Sequence, residues 1–404
     1  MASDVNVAVI GAGQAGLATS WYLKQAGVEH VIFEAGRVAE TWRSRRWDSF
    51  CLVTPNWSVQ LPGRDYAGPD PDGFMPRDEL VEHIQSWAQS FAAPVREHCP
   101  VSSLDQDGEG LALTLNGGKI RARTVVVASG AYQRAHRPAG SEQIPGRVRQ
   151  VLAEEYGNEK NLPPGAVLVV GSGQTGCQLA EELHEAGRKV FLSCGRAPWA
   201  PRRMGGHDLV WWLVETGFAD RTPAQLPSPA ARLLSNPLAT GHGGGHDLHY
   251  RTLHAMGVEL LGRYLGADES KLHFADDLAQ STDAGDNLAR MFMKWVEALC
   301  EKRGLDVPWQ VPAPMGVSGR TELDIVGEGI TSVIWTSGYR PDYGWVHAPV
   351  FDEMGFPLQT DGRSAVDGLY FMGVHFQRKA RSAVLYGVKE DAEIVARHIA
   401  ENRR

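Results

Sequence analysis

One pattern occurs twice in this chain, and it constrains the fold more than any other feature. A largely apolar run at residues 5–10, VNVAVI, leads into the glycine-rich loop GAGQAG, and the run AVLVV at residues 166–170 leads into GSGQTG. Each loop continues into a helix-like stretch and another apolar run, which is the order of a βαβ unit. The sequence therefore predicts an α/β protein with two Rossmann-like dinucleotide-binding domains.

The first glycine loop is interpreted as the FAD site. Gly11 permits a tight turn, Gly13 lets the backbone approach a pyrophosphate, and Gly16 lets the helix pack closely on the strand. The free N–H groups and the dipole at the start of that helix favour phosphate. Glu34 ends the second strand of the unit, where an acid binds ribose hydroxyls. The alternative is a glycine-rich turn without a ligand. The predicted contacts of this loop are Gly11, Gly13, Gln14, Ala15, Gly16 and Glu34.

The second glycine loop is interpreted as an NADPH site. Its second strand runs into KVFLSCGRAP, which offers no acid and carries Arg196. A guanidinium can pair with a 2′-phosphate that an acid would repel, so NADPH is favoured over NADH. Arg202 and Arg203 would add positive field. The alternative is that Arg196 is an ordinary solvated side chain. The predicted contacts of this loop are Gly171, Gly173, Gln174, Thr175, Gly176 and Arg196.

Length and composition restrict the class of protein. The 404 residues have a formal net charge of −8, which argues against nucleic acid as a partner. No apolar run of about 18 residues is present, so no membrane span is expected. No leader-like segment precedes the first predicted strand, which favours a cytoplasmic location. The five cysteines are widely separated, which disfavours a disulfide framework, a zinc knuckle and a dithiol centre.

The order of the motifs predicts one discontinuous domain and one continuous domain. Residues 1–160 together with 325–404 are expected to form the FAD-binding domain, because the closing strand and helix return to it. Residues 161–324 are expected to form the NADPH-binding domain. This second domain would contain a mostly helical insertion at about 200–320, with an amphipathic helix at residues 285–303.

Seven further motifs carry a resemblance to a known family. ETWRSRRW, TPNW, FMPRDELVEHIQSWAQSF, VVVASGAY, VVGSGQTGCQLAEEL, WTSGYRPDY and GLYFMG follow one another in this order. The chain resembles the flavin-containing monooxygenases, especially their bacterial and plant YUCCA-type branch, which is similar to Baeyer–Villiger and N-hydroxylating monooxygenases. The likeness covers most of residues 1–200 and 325–404 and is weak over 200–320.

The resemblance implies roles for residues near a flavin. Thr41 and Trp42 would lie beside it, and the helix opening near Ser382 and Ala383 would point its N-terminus at the pyrimidine edge. Asn56 would lie near the reactive C4a atom, where its amide could donate a hydrogen bond. The alternative for Asn56 is a turn-forming asparagine after a proline. The family's turns between the domains and beside the flavin correspond to Ser129, Gly130, Thr336, Ser337, Gly338, Tyr339 and Gly373.

Two departures from the family pattern are present. The family's F-x-G-x-x-x-H fingerprint corresponds to IPGRVRQ at residues 144–150, which lacks the phenylalanine and the histidine. Val374 stands where many flavoproteins carry an aspartate after the glycine. The first departure bears on the subfamily and on the coupling of NADPH to oxygen chemistry.

The activity that the resemblance implies is that of an FAD- and NADPH-dependent monooxygenase. One oxygen atom of O2 would enter a small organic substrate through a flavin C4a-peroxide, by Baeyer–Villiger or N/S-oxygenation. The alternatives are an FAD-dependent dehydrogenase or oxidase without a stabilised peroxide, and a non-enzymatic redox sensor with Cys51 as its handle. A disulfide reductase is disfavoured because no dithiol is suitably spaced. A homodimer is left open.

A stretch between residues 241 and 254, GHGGGHDLHYRTLH, brings four histidines together. No carboxylate or cysteine pattern completes a zinc site among them. The preferred interpretation is a glycine loop over the nicotinamide or the substrate. Arg378, Lys379 and Arg381 precede the last helix, and they are expected either to attract an anion or to form a solvated loop.

Overall fold

The computed structural model describes residues 4–108, 110–234 and 236–402. These residues contain eight α-helices: α1 (Gln14–Gln25), α2 (Glu40–Ser44), α3 (Arg77–Ser90), α4 (Gln174–Glu185), α5 (Leu209–Glu215), α6 (Tyr250–Met256), α7 (Leu278–Arg303) and α8 (Val388–Glu401). The strands of the first half are β1 (Val5–Ile10), β2 (His30–Phe33), β3 (Gln60–Leu61), β4 (Arg64–Asp65), β5 (Val95–Arg96), β6 (Val101–Asp107), β7 (Gly110–Leu115), β8 (Gly118–Val127), β9 (Arg134–Ala135), β10 (Arg149–Leu152), β11 (Ala166–Val170) and β12 (Val190–Ser193). Those of the second half are β13 (Arg203–Met204), β14 (His207–Asp208), β15 (Glu259–Leu261), β16 (Tyr264–Ala267), β17 (Lys271–Phe274), β18 (Glu322–Asp324), β19 (Ile330–Trp335), β20 (Tyr339–Arg340), β21 (Val346–His347) and β22 (Leu369–Phe371).

The first sheet contains the first glycine loop at its centre. Its strands follow the order β21-β6-β7-β8-β1-β2-β5, and β22 also pairs with β8. β1 is parallel to both β2 and β8, and β22 is parallel to β8. The carboxyl ends of β1, β8 and β22 therefore meet at one edge, which is where open α/β sheets bind ligands.

The second sheet is entirely parallel and contains the second glycine loop. Its order is β10-β19-β11-β12-β15, and every neighbouring pair is parallel. Every residue of β11 and β12 is buried, as expected for strands covered on both faces. The prediction of an α/β chain with two Rossmann-like sheets is confirmed.

The C-terminal segment returns to the first sheet, as expected. β22 extends that sheet, and α8 packs on α1 through apolar residues that include Leu17, Leu23, Val395 and Ile399. The predicted boundaries, however, do not follow the sheets. β10 lies before residue 160 and β19 after residue 325, yet both belong to the second sheet. Short buried strands carry no local signal of the sheet they join, because that depends on long-range pairing.

The segment at 200–320 is less helical than expected. α5, α6 and α7 lie in it, and α7 begins at Leu278 rather than at residue 285. β15 joins the second sheet, while β16, β17 and β18 form a three-stranded antiparallel sheet. None of the helices in the described ranges combines the length and the apolar character that crossing a membrane requires.

Candidate active site

The first glycine loop has a geometry that separates the roles of its three glycines. Gly11 has φ 107°, and a side chain there would approach the Ala128 carbonyl oxygen to 2.5 Å. A Cβ at Gly16 would overlap the carbonyl oxygen of Gly11. A Cβ at Gly13, at the N-cap of α1, would meet no heavy atom within 4 Å. Gly11 and Gly16 are therefore needed for packing, whereas Gly13 faces open space at the start of α1.

The Glu34 carboxylate lies beside this loop, as the sequence predicts. Its Oε2 accepts a hydrogen bond from the Ala12 N–H at 2.6 Å, and its Oε1 accepts one from the Gly36 N–H at 2.8 Å. A carboxylate has about four acceptor sites, so both oxygens retain capacity for the hydroxyls of a ribose.

Three segments that the resemblance assigned to a flavin meet in one place. Trp42 Nε1 donates to Gln14 Oε1 at 3.1 Å, and Gln14 Nε2 donates to the Ala383 carbonyl at 3.4 Å. Gly373 has φ 71°, and a Cβ there would approach the Ala15 side chain to 2.8 Å. The start of α1 is thus adjacent to Trp42, Ala383 and Gly373, which are distant from it in sequence. Thr41 is exposed on α2 next to Trp42.

The expectation of a helix opening near Ser382 and Ala383 is wrong. α8 begins at Val388, after the N-cap Gly387. The Ser382 hydroxyl, which is buried, accepts hydrogen bonds from the N–H groups of Arg378 and Lys379 at 3.2 and 3.0 Å and holds a turn instead. Acidic residues in the first turn of α8 gave a signal for the later start, since carboxylates favour helix N-termini.

The second glycine loop repeats the packing of the first. Gly171 has φ 113°, and a Cβ there would lie 2.6 Å from the Thr336 carbonyl oxygen. A Cβ at Gly176 would overlap the Gly171 carbonyl oxygen. The Thr336 hydroxyl is 2.9 Å from the Val170 carbonyl oxygen and 2.8 Å from that of Gly171. Gly173 is the N-cap of α4, whose first turn contains Gln174 and Thr175.

Arg196 and Arg202 have opposite environments. Arg196 is exposed, and no carboxylate oxygen of the described residues lies within 4.0 Å of it. Its neighbour Gly195 donates its N–H to Ser172 Oγ in the glycine loop at 2.9 Å. Arg202 is buried, pairs with Asp208 at 2.8 Å and donates to the Val53 carbonyl at 2.7 Å. Arg202 therefore cannot add field at a 2′-phosphate, which corrects that expectation, while Arg203 is exposed.

A short ribbon joins the two sheets where the family's connecting turns were expected. Tyr339 of β20 pairs with Ala135 of β9 in antiparallel register. The ribbon begins after Gly338, with φ 81°, on one side and after Gly130, with φ 95°, on the other. Ser129 accepts a hydrogen bond from Gln133 at 2.9 Å, and Ser337 donates to the Val170 carbonyl at 3.2 Å.

Asn56 is buried, and its side chain ties a short 3₁₀ turn to the segment around Asp70. Its Nδ2 donates to the Asp70 carbonyl oxygen at 2.9 Å, and its Oδ1 is buried without a hydrogen-bond partner among the described residues. One N–H of the amide is thus used within the protein, which fits the turn-forming interpretation. Its role as a donor in oxygen chemistry stays a prediction.

Four side chains from different segments lie near one another beside the β9–β20 ribbon, and their surroundings are called here the junction cleft: Arg46, Tyr132, Tyr339 and His375. The rings of Tyr132 and Tyr339 are 5.5 Å apart, and those of Tyr132 and His375 are 4.8 Å apart. Tyr132 is 41% exposed, yet loss of hydration raises its pKa. Desolvation also lowers the pKa of His375 to about 4. No motif in the sequence predicted that these four side chains would lie together.

The glycine–histidine stretch packs on α4, where it bridges the two sheets. His246 contacts Glu181 at 2.6 Å and His242 contacts Glu185 at 3.5 Å. Gln174 donates to the Ala239 carbonyl oxygen. A Cβ at Gly245 would approach the Phe74 ring to 2.5 Å, so the stretch lies against the segment that follows Asn56. Its placement over a nicotinamide or a substrate stays a prediction.

The buried His249 makes the stability of this region depend on pH. Burial lowers its pKa from 6.5 to about 4, so its contribution is present above pH 6.5 and is lost as pH falls towards 4. We expect wild type to lose up to about 3 kcal/mol of unfolding free energy over this range from His249 alone. A His249→Asn variant, which keeps an N-cap acceptor, should show a shallower pH dependence in urea unfolding. Parallel curves for the two proteins would contradict this.

The basic loop before α8 is neutralised within the protein. Arg378 pairs with Asp391 at 3.1 Å, and Arg381 pairs with Asp220 at 2.7 Å. Lys379 pairs with Asp220 at 3.1 Å. Of the two alternatives for this loop, the structure favours an ion-paired surface over an anion site.

The comparisons with known proteins agree with this architecture. The family described as pyridine nucleotide-disulphide oxidoreductase matches residues 8–210. A Geobacillus kaustophilus protein named uncharacterized oxidoreductase CzcO-like is 30% identical over 400 residues, 98% of each chain. Indole-3-pyruvate monooxygenase YUCCA4 of Oryza sativa subsp. japonica is 28% identical over 262 residues, 55% of this chain and 59% of the relative. The resemblance stated from the motifs is confirmed.

Solved structures share the fold over the whole chain. A flavin-containing monooxygenase from Stenotrophomonas maltophilia has a TM-score of 0.68 at 20% identity, with 99% of each chain covered. OTEMO in complex with FAD and NADP has a TM-score of 0.58 at 15% identity, covering 99% of this chain and 85% of the other.

Proposed function

This chain belongs to the pyridine nucleotide-disulphide oxidoreductase family, and we propose that it is an FAD- and NADPH-dependent monooxygenase acting on a small organic substrate with O2. The observation that carries the proposal is the pair of glycine loops, each at the N-terminus of a helix, whose sheets join at the junction cleft. Family relatives that are named monooxygenases support the same class.

The residues present fit FAD at the first loop. Gly13 leaves open space at the N-terminus of α1, where backbone N–H groups would bind the pyrophosphate. Glu34 would bind the ribose, and Gln14, Trp42, Gly373 and the turn at Ser382 would surround the rest of the cofactor. OTEMO, which shares this fold, was solved with FAD and NADP bound.

The second loop fits NADPH. The N-terminus of α4 behind Gly173 repeats the phosphate-binding geometry, and Arg196 is exposed beside it without an ion pair in the described part of the chain. Gly195 holds the Arg196 segment on the loop through Ser172. The guanidinium would bind the 2′-phosphate.

FAD, when bound, supplies the redox chemistry by taking electrons from NADPH and passing them to O2. The protein positions the reactants and limits access of water. Loss of hydration keeps Tyr132 and Tyr339 protonated and His375 neutral at pH 7. These three side chains would therefore add no charge to the site, and the amide of Asn56 would add none either.

Disulfide reduction, which the family name suggests, is disfavoured by the state of the thiols. All five cysteines are free. Burial raises the pKa of Cys51, and also those of the buried Cys177 and Cys194. A raised pKa leaves little thiolate, and the thiolate is the reactive form. The same argument weakens a redox sensor built on Cys51.

The test is transient kinetics of the FAD-loaded protein. NADPH should reduce the flavin anaerobically, and mixing with O2 should then give an absorbance phase that belongs to neither reduced nor oxidised flavin. With a ketone, amine or sulfide as substrate, ¹⁸O from ¹⁸O2 should enter the product. Reoxidation in one phase with stoichiometric H2O2 would instead identify a dehydrogenase or oxidase. The proposal includes either Baeyer–Villiger or N/S-oxygenation, and product analysis would decide between these two reactions. It also includes a homodimeric state, which sedimentation would test.

A further inference from the structure

We propose that Arg46 binds an anionic oxygen, of a phosphate or a carboxylate, belonging to a molecule that occupies the junction cleft. The inference rests on the proposed function, because that function brings dinucleotides and an organic substrate to this cleft. It adds a recognition role for Arg46, which lies in the ETWRSRRW motif but has no role assigned by the family resemblance.

The Arg46 guanidinium is held in place without being neutralised. Its central carbon lies 5.2 Å from the ring centroid of Trp42 and 5.7 Å from that of Phe50. Nη1 donates to the Arg45 carbonyl oxygen at 2.8 Å. No carboxylate oxygen of the described residues lies within 4.0 Å of the group. Most of its five N–H donors are therefore left for a ligand.

A carboxylate that interacts electrostatically with Arg46, Glu154, is directed to a neighbour, and Asp48, two residues along the chain, pairs with Arg77. Glu154 forms an ion pair with Arg45 at 3.6 Å, and its Oε2 is buried without a hydrogen bond among the described residues. One carboxylate thus faces two arginines, which leaves one positive charge in excess. The other groups that interact with Arg46 are Tyr132 and Tyr339, which are neutral.

Desolvation makes this excess charge significant. Arg46 is half-buried, and its partial loss of hydration lowers the pKa of the guanidinium while no carboxylate of the described residues lies within 4.0 Å to offset it. Arginine stays charged in proteins, and a poorly hydrated unpaired charge is unfavourable. An anionic ligand would relieve this cost and would gain a forked, charge-assisted pair.

The position of Arg46 restricts where that anion comes from. Trp42, whose ring lies against the guanidinium, donates a hydrogen bond to Gln14 at the start of α1. Tyr339, which also interacts with Arg46, belongs to the β9–β20 ribbon, and β20 follows β19 of the second sheet. Three groups can therefore supply an anionic oxygen to Arg46: the FAD pyrophosphate, a phosphate of the nicotinamide nucleotide, and a substrate carboxylate.

The experiment measures binding rather than turnover, so it is independent of whether the protein oxygenates a substrate. Arg46→Gln and Arg46→Lys are compared with wild type, and Arg290→Gln serves as the matched control because Arg290 is an exposed arginine on α7, outside both glycine loops and the junction cleft. FAD is titrated into apoprotein by fluorescence. NADP⁺, benzoate and the uncharged benzamide are titrated into oxidised FAD-loaded protein by the flavin spectrum.

We expect Arg46→Gln to weaken at least one anionic probe by about 10- to 100-fold and to leave benzamide within about twofold. Loss for FAD, NADP⁺ or benzoate identifies the source, and Arg46→Lys should recover part of the loss. The apoprotein melting temperature should not fall, because an unpaired charge is removed. The proposal is overturned if every anionic probe binds to Arg46→Gln within about twofold of the Arg290→Gln control. It is equally overturned if Arg46→Gln lowers the apoprotein melting temperature and weakens benzamide as much as the anions.

Discussion

A Gly13→Val variant is expected to fold and to purify without flavin. A Cβ at Gly13 meets no heavy atom within 4 Å, and the backbone there is extended with φ −81°, so the protein itself accommodates a side chain. The isopropyl group would instead occupy the space in front of the α1 N-terminus where a pyrophosphate binds. We expect FAD affinity to fall by about 100-fold or more, equivalent to about 2.7 kcal/mol. The absorbance of the purified protein near 450 nm, relative to 280 nm, measures the loss.

Two further glycine variants separate ligand loss from misfolding. Gly146→Val is the matched control, because a Cβ at Gly146 also meets no heavy atom within 4 Å and lies outside both loops; it should retain flavin. Gly16→Val should fail to fold, since its Cβ would overlap the Gly11 carbonyl oxygen. Normal flavin content in folded Gly13→Val would show that the first loop does not bind the cofactor.

The parts of the site that local sequence predicts are those fixed by backbone geometry. Gly11 and Gly171 adopt positive φ, and Gly16 and Gly176 allow a helix to touch a strand. Such requirements exclude nearly all other residues at these positions, so they leave a readable spacing. The position of Glu34 followed from the same βαβ logic, whereas that of Gly373 followed from the family resemblance.

The parts that the sequence did not predict depend on pairing between distant segments. β10 and β19 join the second sheet although nothing in their short apolar runs specifies it. Arg202 and Arg196 look alike in sequence, but one is buried against Asp208 and the other is exposed. The junction cleft forms where four segments that are distant in sequence meet. The desolvation of Arg46 and His375 therefore follows only from the three-dimensional structure.

Residues 144–150, which lack the family's F-x-G-x-x-x-H fingerprint, have a structural role. Ile144 is buried in the core of the second domain, and Gln150 accepts a hydrogen bond from Trp335 Nε1 at 3.1 Å. These contacts hold β10 against β19. The segment therefore supports the second sheet, and its effect on NADPH use is left to kinetics.

An Arg196→Glu variant is expected to lose NADPH-driven reduction of the flavin while its NADH-driven rate changes little. Arg196 is exposed at the end of β12, and its neighbour Gly195 is tied to the glycine loop through Ser172. A charge-assisted pair with the 2′-phosphate contributes about 1.5–3 kcal/mol, which is roughly 10- to more than 100-fold in affinity. Glutamate removes this pair and adds repulsion. Anaerobic stopped-flow reduction with each nucleotide measures the effect without oxygen chemistry.

The matched control is Arg290→Glu, which makes the same charge change at another exposed arginine, on α7 and outside both glycine loops. It should leave the preference for NADPH unchanged, and FAD content should stay normal in both variants because the first loop is untouched. Equal rates with NADH and NADPH in wild type would remove Arg196 as the discriminating residue, as would equal damage to both nucleotides in Arg196→Glu. If neither nucleotide reduces wild-type flavin, the second loop does not deliver electrons. The departure at residues 144–150 is then the first place to restore, by introducing the phenylalanine and the histidine that this segment lacks.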